Sequence, residues 1–183
     1  SQNITDPRLG PKILLAMAEG RSAPEAVKMI INAAENANFR QVLAVDATGN
    51  TAIYSGSKSL DIHADFASQN AAAAGNLLAN SNIPKAMVTA FHRGTGHLGD
   101  RLIDAMRVAL ALGGEAGALH SAGLLLVGEQ EWPMADLRCD WTEDCPIEAL
   151  ASLWDTYKPQ LAAYMQRPLD PRAALSYGVP GDE

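Results

Sequence analysis

The first third of the chain is written in a helical rhythm that then changes to a strand rhythm. Ile13, Leu14 and Met17 follow Gly10-Pro11 and stop at Gly20, which predicts a short amphipathic helix with proline near its start and glycine past its end. Ser22-Ala23-Pro24-Glu25 has the form of a capping box, and Val27, Ile30, Ile31 and Ala34 then repeat on one face of a second helix. From Gln41 to Asp46 the period becomes two: Val42 and Ala44 alternate with Leu43 and Val45, and neither set is polar. Asp46-Ala47-Thr48-Gly49-Asn50 supplies turn chemistry before Thr51 to Tyr54, so a hairpin buried on both faces is predicted.

Phe66 to Gly75 is ambiguous by itself. Its alanines suit a helix by propensity, while the Gly75-Asn76 junction before Leu77-Leu78 suits a strand that ends at a functional turn. Two helices follow, Ile83 to His92 and Asp100 to Leu112, the second with Leu102, Ile103, Met106, Ala109 and Leu110 on one stripe and Gly113-Gly114 closing it. Ser121 to Val127 is a continuous apolar strand, Gly128 to Pro133 a turn, and Ala135 to Trp141 a second strand in which Asp136, Arg138 and Asp140 alternate with Leu137 and Cys139. Pro146 opens a last long helix with Ile147, Leu150, Leu153, Trp154 and Tyr157 on its apolar face, and the tail from Arg167 is Pro-rich and expected to be irregular.

Hairpins separated by helix pairs, with strands apolar on both faces, predict an α+β protein: two antiparallel sheets face to face, covered outside by helices in a four-layer αββα sandwich. One side is short of strands, as if an N-terminal hairpin were missing. The expected division is a single domain over residues 1–166 and a tail over 167–183.

Composition narrows the function classes. The 183 residues are 48% hydrophobic and 19% charged, which suits one packed core and excludes disorder for most of the chain. A formal charge of -7 with no run of Lys or Arg argues against nucleic acid. Apolar stretches such as Ala122 to Val127 fall far short of the roughly 20 residues of a membrane helix, so no membrane association is expected. Cys139 and Cys145 form neither a CxxC motif nor half a zinc site. A cytoplasmic location is the expectation, with one local disulfide as the alternative.

The chain opens on Ser1-Gln2-Asn3 rather than on Met. Removal of an initiator Met, an end made in preparation or by proteolysis, and self-cleavage that exposes Ser1 all account for this. The residues resemble the bacterial domain of unknown function 1028, placed in the N-terminal-nucleophile (Ntn) hydrolase superfamily. The resemblance runs through Ser1-Gln2, Asp6-Pro7-Arg8-Leu9-Gly10, Asp46-Ala47-Thr48-Gly49, Ser55-Gly56-Ser57, Gly75-Asn76-Leu77-Leu78-Ala79, Asp100-Arg101-Leu102, Ser121-Ala122, and Asp136-Leu137-Arg138 to Pro146-Ile147, and covers roughly residues 1–155. In members of that family the segment like Ser1-Gln2 follows an N-terminal hairpin. The resemblance therefore implies an Ntn fold, and it raises self-cleavage among the three origins of Ser1.

A serine at a chain terminus can use its own α-amine, with a pKa near 7.7 to 8.0, as the base that its hydroxyl needs. Ser1 is the candidate nucleophile on those grounds. Asn76, at the turn after Gly75, is the candidate oxyanion donor; its plainer role is that of a turn residue satisfying local backbone. Arg138 offers a fork for a substrate carboxylate, or pairs with Asp136 or Asp140. Gln2 and Asn3 are candidate substrate donors or turn residues. Ser121 is a small strand residue with a possible place in the site wall, and His120 precedes it where family members more often carry a polar residue other than His, which puts a shared catalytic His in doubt.

Other motifs read as structure. Asp100 is expected to cap its helix, Arg101 to pair or lie on the surface, His92 and His97 to have the wrong spacing for a metal, and His63 to stand alone. Gly113-Gly114-Glu115-Ala116-Gly117 lacks the Lys-Ser/Thr of a phosphate loop and is a connector. No metal or cofactor is predicted. The leading expectation is an Ntn-type hydrolase that cleaves an amide or related C–N bond of a small polar molecule through acyl-Ser1, after self-cleavage before Ser1. The alternative is a catalytically silent Ntn-fold protein that binds a metabolite or partner. Expected partners are the small-molecule substrate, the chain's own N-terminal peptide from the precursor and a second copy in a homo-oligomer, most simply a dimer.

Overall fold

A computed structural model describes residues 2–176 and Gly178. The chain divides into two compact units, Ser1–Ala118 and Leu119–Glu183.

In the first unit, β1 (Gln2–Asn3) leads into α1 (Leu9–Ala18), which ends where Gly20 takes a left-handed φ of 94° and closes the last turn on Met17. The capping-box sequence is used: the backbone N–H and the hydroxyl of Ser22 both donate to Glu25, at 2.9 and 2.7 Å, at the head of α2 (Ala23–Asn32). A short 3-10 turn then reaches β2 (Arg40–Val45), which pairs antiparallel with β3 (Thr51–Ser55) on one side and β1 on the other. Leu9, Ile13, Ala16, Val27 and Ile31 of the two helices bury one face of this sheet through Val42 and Ala44.

Asp46 links turn and helix. Its carboxylate accepts the Ala23 N–H at 3.0 Å, the first turn of α2, and also the N–H groups of Thr48 and Asn50. These donors, with the Ala23 bond foremost, hold its pKa well below the usual carboxylate range. The unfolded chain has no such donors, so the stabilisation is complete above an unfolded pKa of about 3.9 and is lost as pH falls below it. Asp46→Asn is expected to flatten that acid limb, so that urea midpoints measured at pH 6, 4 and 3 converge between variant and parent as pH drops.

The ambiguous alanine stretch is a hairpin, β4 (Ala64–Ser68) and β5 (Ala71–Gly75), joined by Gln69 and a left-handed Asn70. Helix propensity loses because the alternation is real but hidden in small residues. Ala71 and Ala73 are buried against Val88, Met87 and Phe91 of α3 (Ile83–Arg93), while the other side of the hairpin meets β2 and β3. The α3 helix packs in turn on α4 (Leu98–Ala111). Asp100 does cap α4, but from the third helical position: His97 is the N-cap, and its backbone N–H donates to Asp100 at 3.1 Å. Arg101 donates twice to the Phe91 carbonyl at the end of α3 and lies 4.0 Å over the Phe91 ring.

The second unit holds the hairpin β6 (Ala122–Leu126) and β7 (Ala135–Cys139), with α5 (Pro146–Tyr157) packed on it through Ile147, Leu150, Ala151 and Trp154. Among the described residues the strands form three small antiparallel sheets, β1–β2–β3, β4–β5 and β6–β7. The tail expected to be irregular from Arg167 starts later than that: α6 (Leu161–Leu169) runs through Pro168, and a 3-10 turn follows at Pro171–Ala173. Cys139 and Cys145 are free thiols.

Candidate functional site

Ser1 lies outside the described residues, so the site is built from Gln2 onward. The β1 strand is only two pairs long, Gln2 with Gln41 and Asn3 with Arg40. Asn3 takes a left-handed φ of 68°, and its side-chain amide is committed to the fold: it donates to the Phe39 carbonyl at 2.5 Å and accepts the Leu60 N–H at 3.2 Å. Through these bonds it anchors the strand to residues 39 and 60. The Gln2 amide donates to the side-chain oxygen of Gln41.

Gln41 is a residue that the sequence pattern did not single out, and it is fully buried, at 0% exposure. It shares a face of β2 with Leu43 and Val45, the face that meets β4 and β5. Its side-chain nitrogen lies 2.9 Å from Ser55 Oγ, 3.2 Å from the Ala64 carbonyl and 3.3 Å from the Gly75 carbonyl. Ser55 in turn donates its hydroxyl to the exposed carboxylate of Asp65. The one sequence signal was a polar side chain next to the apolar run Val42 to Val45.

Gly75 ends β5, and the half-buried Asn76 follows it. The next residue, Leu77, has φ of 54°, a left-handed conformation rare for a branched side chain and persistent only where the surroundings impose it. They do so here: the Leu77 N–H donates to Leu60, its carbonyl accepts from Ala116, and Leu78 donates to Ile62. The chain segments around residues 60–62 thus hold both Asn3 and the Asn76-Leu77 turn. Between them, Ser59 is 8% exposed and its hydroxyl has no hydrogen-bond partner among the described residues. Such a group is an available donor or acceptor inside the fold.

The remaining candidates belong to the second unit. His120 donates from Nδ1 to the Thr142 carbonyl at 2.9 Å and stacks on the Trp141 indole at 4.1 Å between ring centres. Ser121 is exposed and lies just before β6, outside the strand it was expected to open. Arg138 pairs with Asp140 at 2.6 Å, and those hydrogen bonds raise its pKa further. Both partners are solvent-exposed, so the pair adds little stability. Elsewhere His92 shares a 2.7 Å hydrogen bond with Ser68, and no group of three or more ligating side chains that could hold a metal occurs among the described residues.

These elements define an α+β protein of small antiparallel hairpins, each backed by helices, with a polar junction buried where β1, β2 and the end of β5 meet. The chain belongs to the family of unknown function DUF1028, whose family model matches residues 1–150. It is also similar to the crystal structure of protein SPO2555 from Silicibacter pomeroyi, described as a DUF1028 protein. The identity is 28% and the TM-score 0.79, over 86% of this chain and 70% of that one. No curated protein matches the chain. Among the described residues, no helix is long and apolar enough to cross a membrane.

Proposed function

We propose that this chain is an Ntn-type hydrolase in which Ser1 is the nucleophile, and that its helix pairs and facing hairpins are the layers of an αββα sandwich. The observation that carries the reading is the meeting of Gln2 and Gly75 on the single side chain of Gln41, which sets the neighbour of Ser1 beside the turn bearing Asn76. In the reaction, Ser1 Oγ attacks the carbonyl carbon of an amide and its proton passes to the α-amine. Asn76 donates to the developing oxyanion, the C–N bond breaks as the leaving amine takes that proton, and water hydrolyses the acyl ester. The substrate class is a small polar molecule.

The same reading makes Ser1 the product of self-cleavage. A hairpin from the precursor would then pair with the open edges of the β1–β2–β3 sheet and stay bound, which removes unpaired strand edges. Mass and N-terminal sequencing of the protein made from its whole gene tests this. A single cut before Ser1, lost in Ser1→Ala, is the expected result. An uncut chain or ragged ends would sink it and favour a catalytically silent binding protein with the same fold.

A further inference from the structure

We propose that Gln41 is a positioning residue that keeps the strand carrying the nucleophile in register with the oxyanion turn, and that Asp65 sets its orientation through Ser55. The inference rests on Ser1 and Asn76 acting as described above.

A buried amide is expensive unless its hydrogen bonds are made, and an aliphatic side chain would fill the same space without that demand. Gln41 finds its partners within the protein on four different strands: its oxygen accepts from Gln2 on β1, and its two N–H groups are shared among Ser55 on β3, Ala64 on β4 and Gly75 at the end of β5. A two-residue strand is too short to hold its own position by ladder bonds. Gln41 supplies a second fixed point for β1 beside the one Asn3 makes, and the same nitrogen reaches the carbonyl immediately before Asn76.

The direction of the amide is determined. The carbonyls of Ala64 and Gly75 can only accept, so the NH2 group faces them and the oxygen is left for Gln2. Ser55 agrees with this choice because its hydroxyl proton is committed to Asp65, leaving the oxygen as an acceptor for Gln41. The result is a one-way chain, Gln2 to Gln41 to Ser55 to Asp65, in which each bond strengthens the next and which ends on a carboxylate at the surface. No member of this chain need touch substrate.

The test labels Ser1 with a small sulfonyl fluoride, in which Oγ displaces fluoride, and follows the mass of the full chain against time and pH. In parallel, hydrogen exchange is measured in peptides covering residues 2–9 and 70–80. The parent is expected to label at Ser1 with a rate that rises through the pKa of the α-amine, and Ser1→Ala is not. Gln41→Leu is expected to loosen both peptides together and to slow labelling by about tenfold to a hundredfold, since a small misplacement of a reacting group costs that much. The pH midpoint should stay in place, because the base is unchanged. Ser55→Ala, a milder change in case Gln41→Leu does not fold, should slow labelling by a smaller factor. Val27→Ala, buried in the α2 interface away from this junction, should lower the melting temperature without slowing it. Parent-like labelling in folded Gln41→Leu, or in Ser55→Ala if the former does not fold, would overturn the role of Gln41 and leave Ser1 as nucleophile. No labelling of Ser1 in the parent would overturn the nucleophile and the positioning role with it.

Discussion

Trp154→Ala is expected to lower the unfolding free energy by about 3–5 kcal/mol, the cost of emptying a large, well-packed site. Trp154 is 1% exposed, and α5 presents it with Ile147, Leu150 and Ala151 on the face that packs against β6 and β7. Leu124, Leu126 and Ala135 are the buried residues of that hairpin. Among the described residues of the second unit, Trp154 is the largest fully buried side chain. Urea unfolding measures the loss directly. Fluorescence offers a second reading, because Trp141 is 68% exposed and emits to the red: the variant should lose the blue part of the spectrum. A loss below about 1 kcal/mol would mean that α5 does not seal this hairpin.

Gly56→Ala should cost about 2–4 kcal/mol for a different reason, a clash with backbone that has nowhere to go. A Cβ at this position would sit 2.3 Å from the Asn38 carbonyl oxygen and 2.7 Å from that of Ala37. The chain passes this close because the Gly56 N–H donates to Arg40 and the Lys58 N–H to Asn38, both under 3 Å. Relieving the clash breaks those bonds, and with them the alignment of β3 with β2 beside Ser55. Thermal denaturation checks the magnitude, and Gly10→Ala is the control, since a Cβ there meets nothing within 4 Å. Equal effects at the two glycines would remove the steric argument.

Helix boundaries were the most legible part of the fold. Ser22 and Glu25 specify a helix start through their own hydrogen bonds, Gly20 a helix end through a conformation other residues resist, and both signals act within one turn of chain. The alanines of β5 were unreadable for the opposite reason. Alanine fits helix and strand alike, so only the presence of α3 on one side and β2–β3 on the other decides between them. The α6 helix escaped because Pro168 reads as a breaker, yet it sits near the end of that helix.

Within the candidate site, the sequence supplied Ser1, which lies outside the described residues, and the Gly75-Asn76 turn. It left Asn3 open between substrate donor and turn residue, since a left-handed residue bonded to Phe39 and Leu60 has no local signature, and it did not single out Gln41. Gln41 matters through partners 14 to 39 residues away along the chain. Capping, turn chemistry and hydrophobic period are short-range properties, so the sequence by itself determined the helices up to α5, the hairpin read over residues 41–54 and the residue types available for chemistry. Which sheet each hairpin joined, which way β5 faced and which polar side chain was buried at the junction were decided only by tertiary packing, because each depends on what the distant chain leaves unsatisfied.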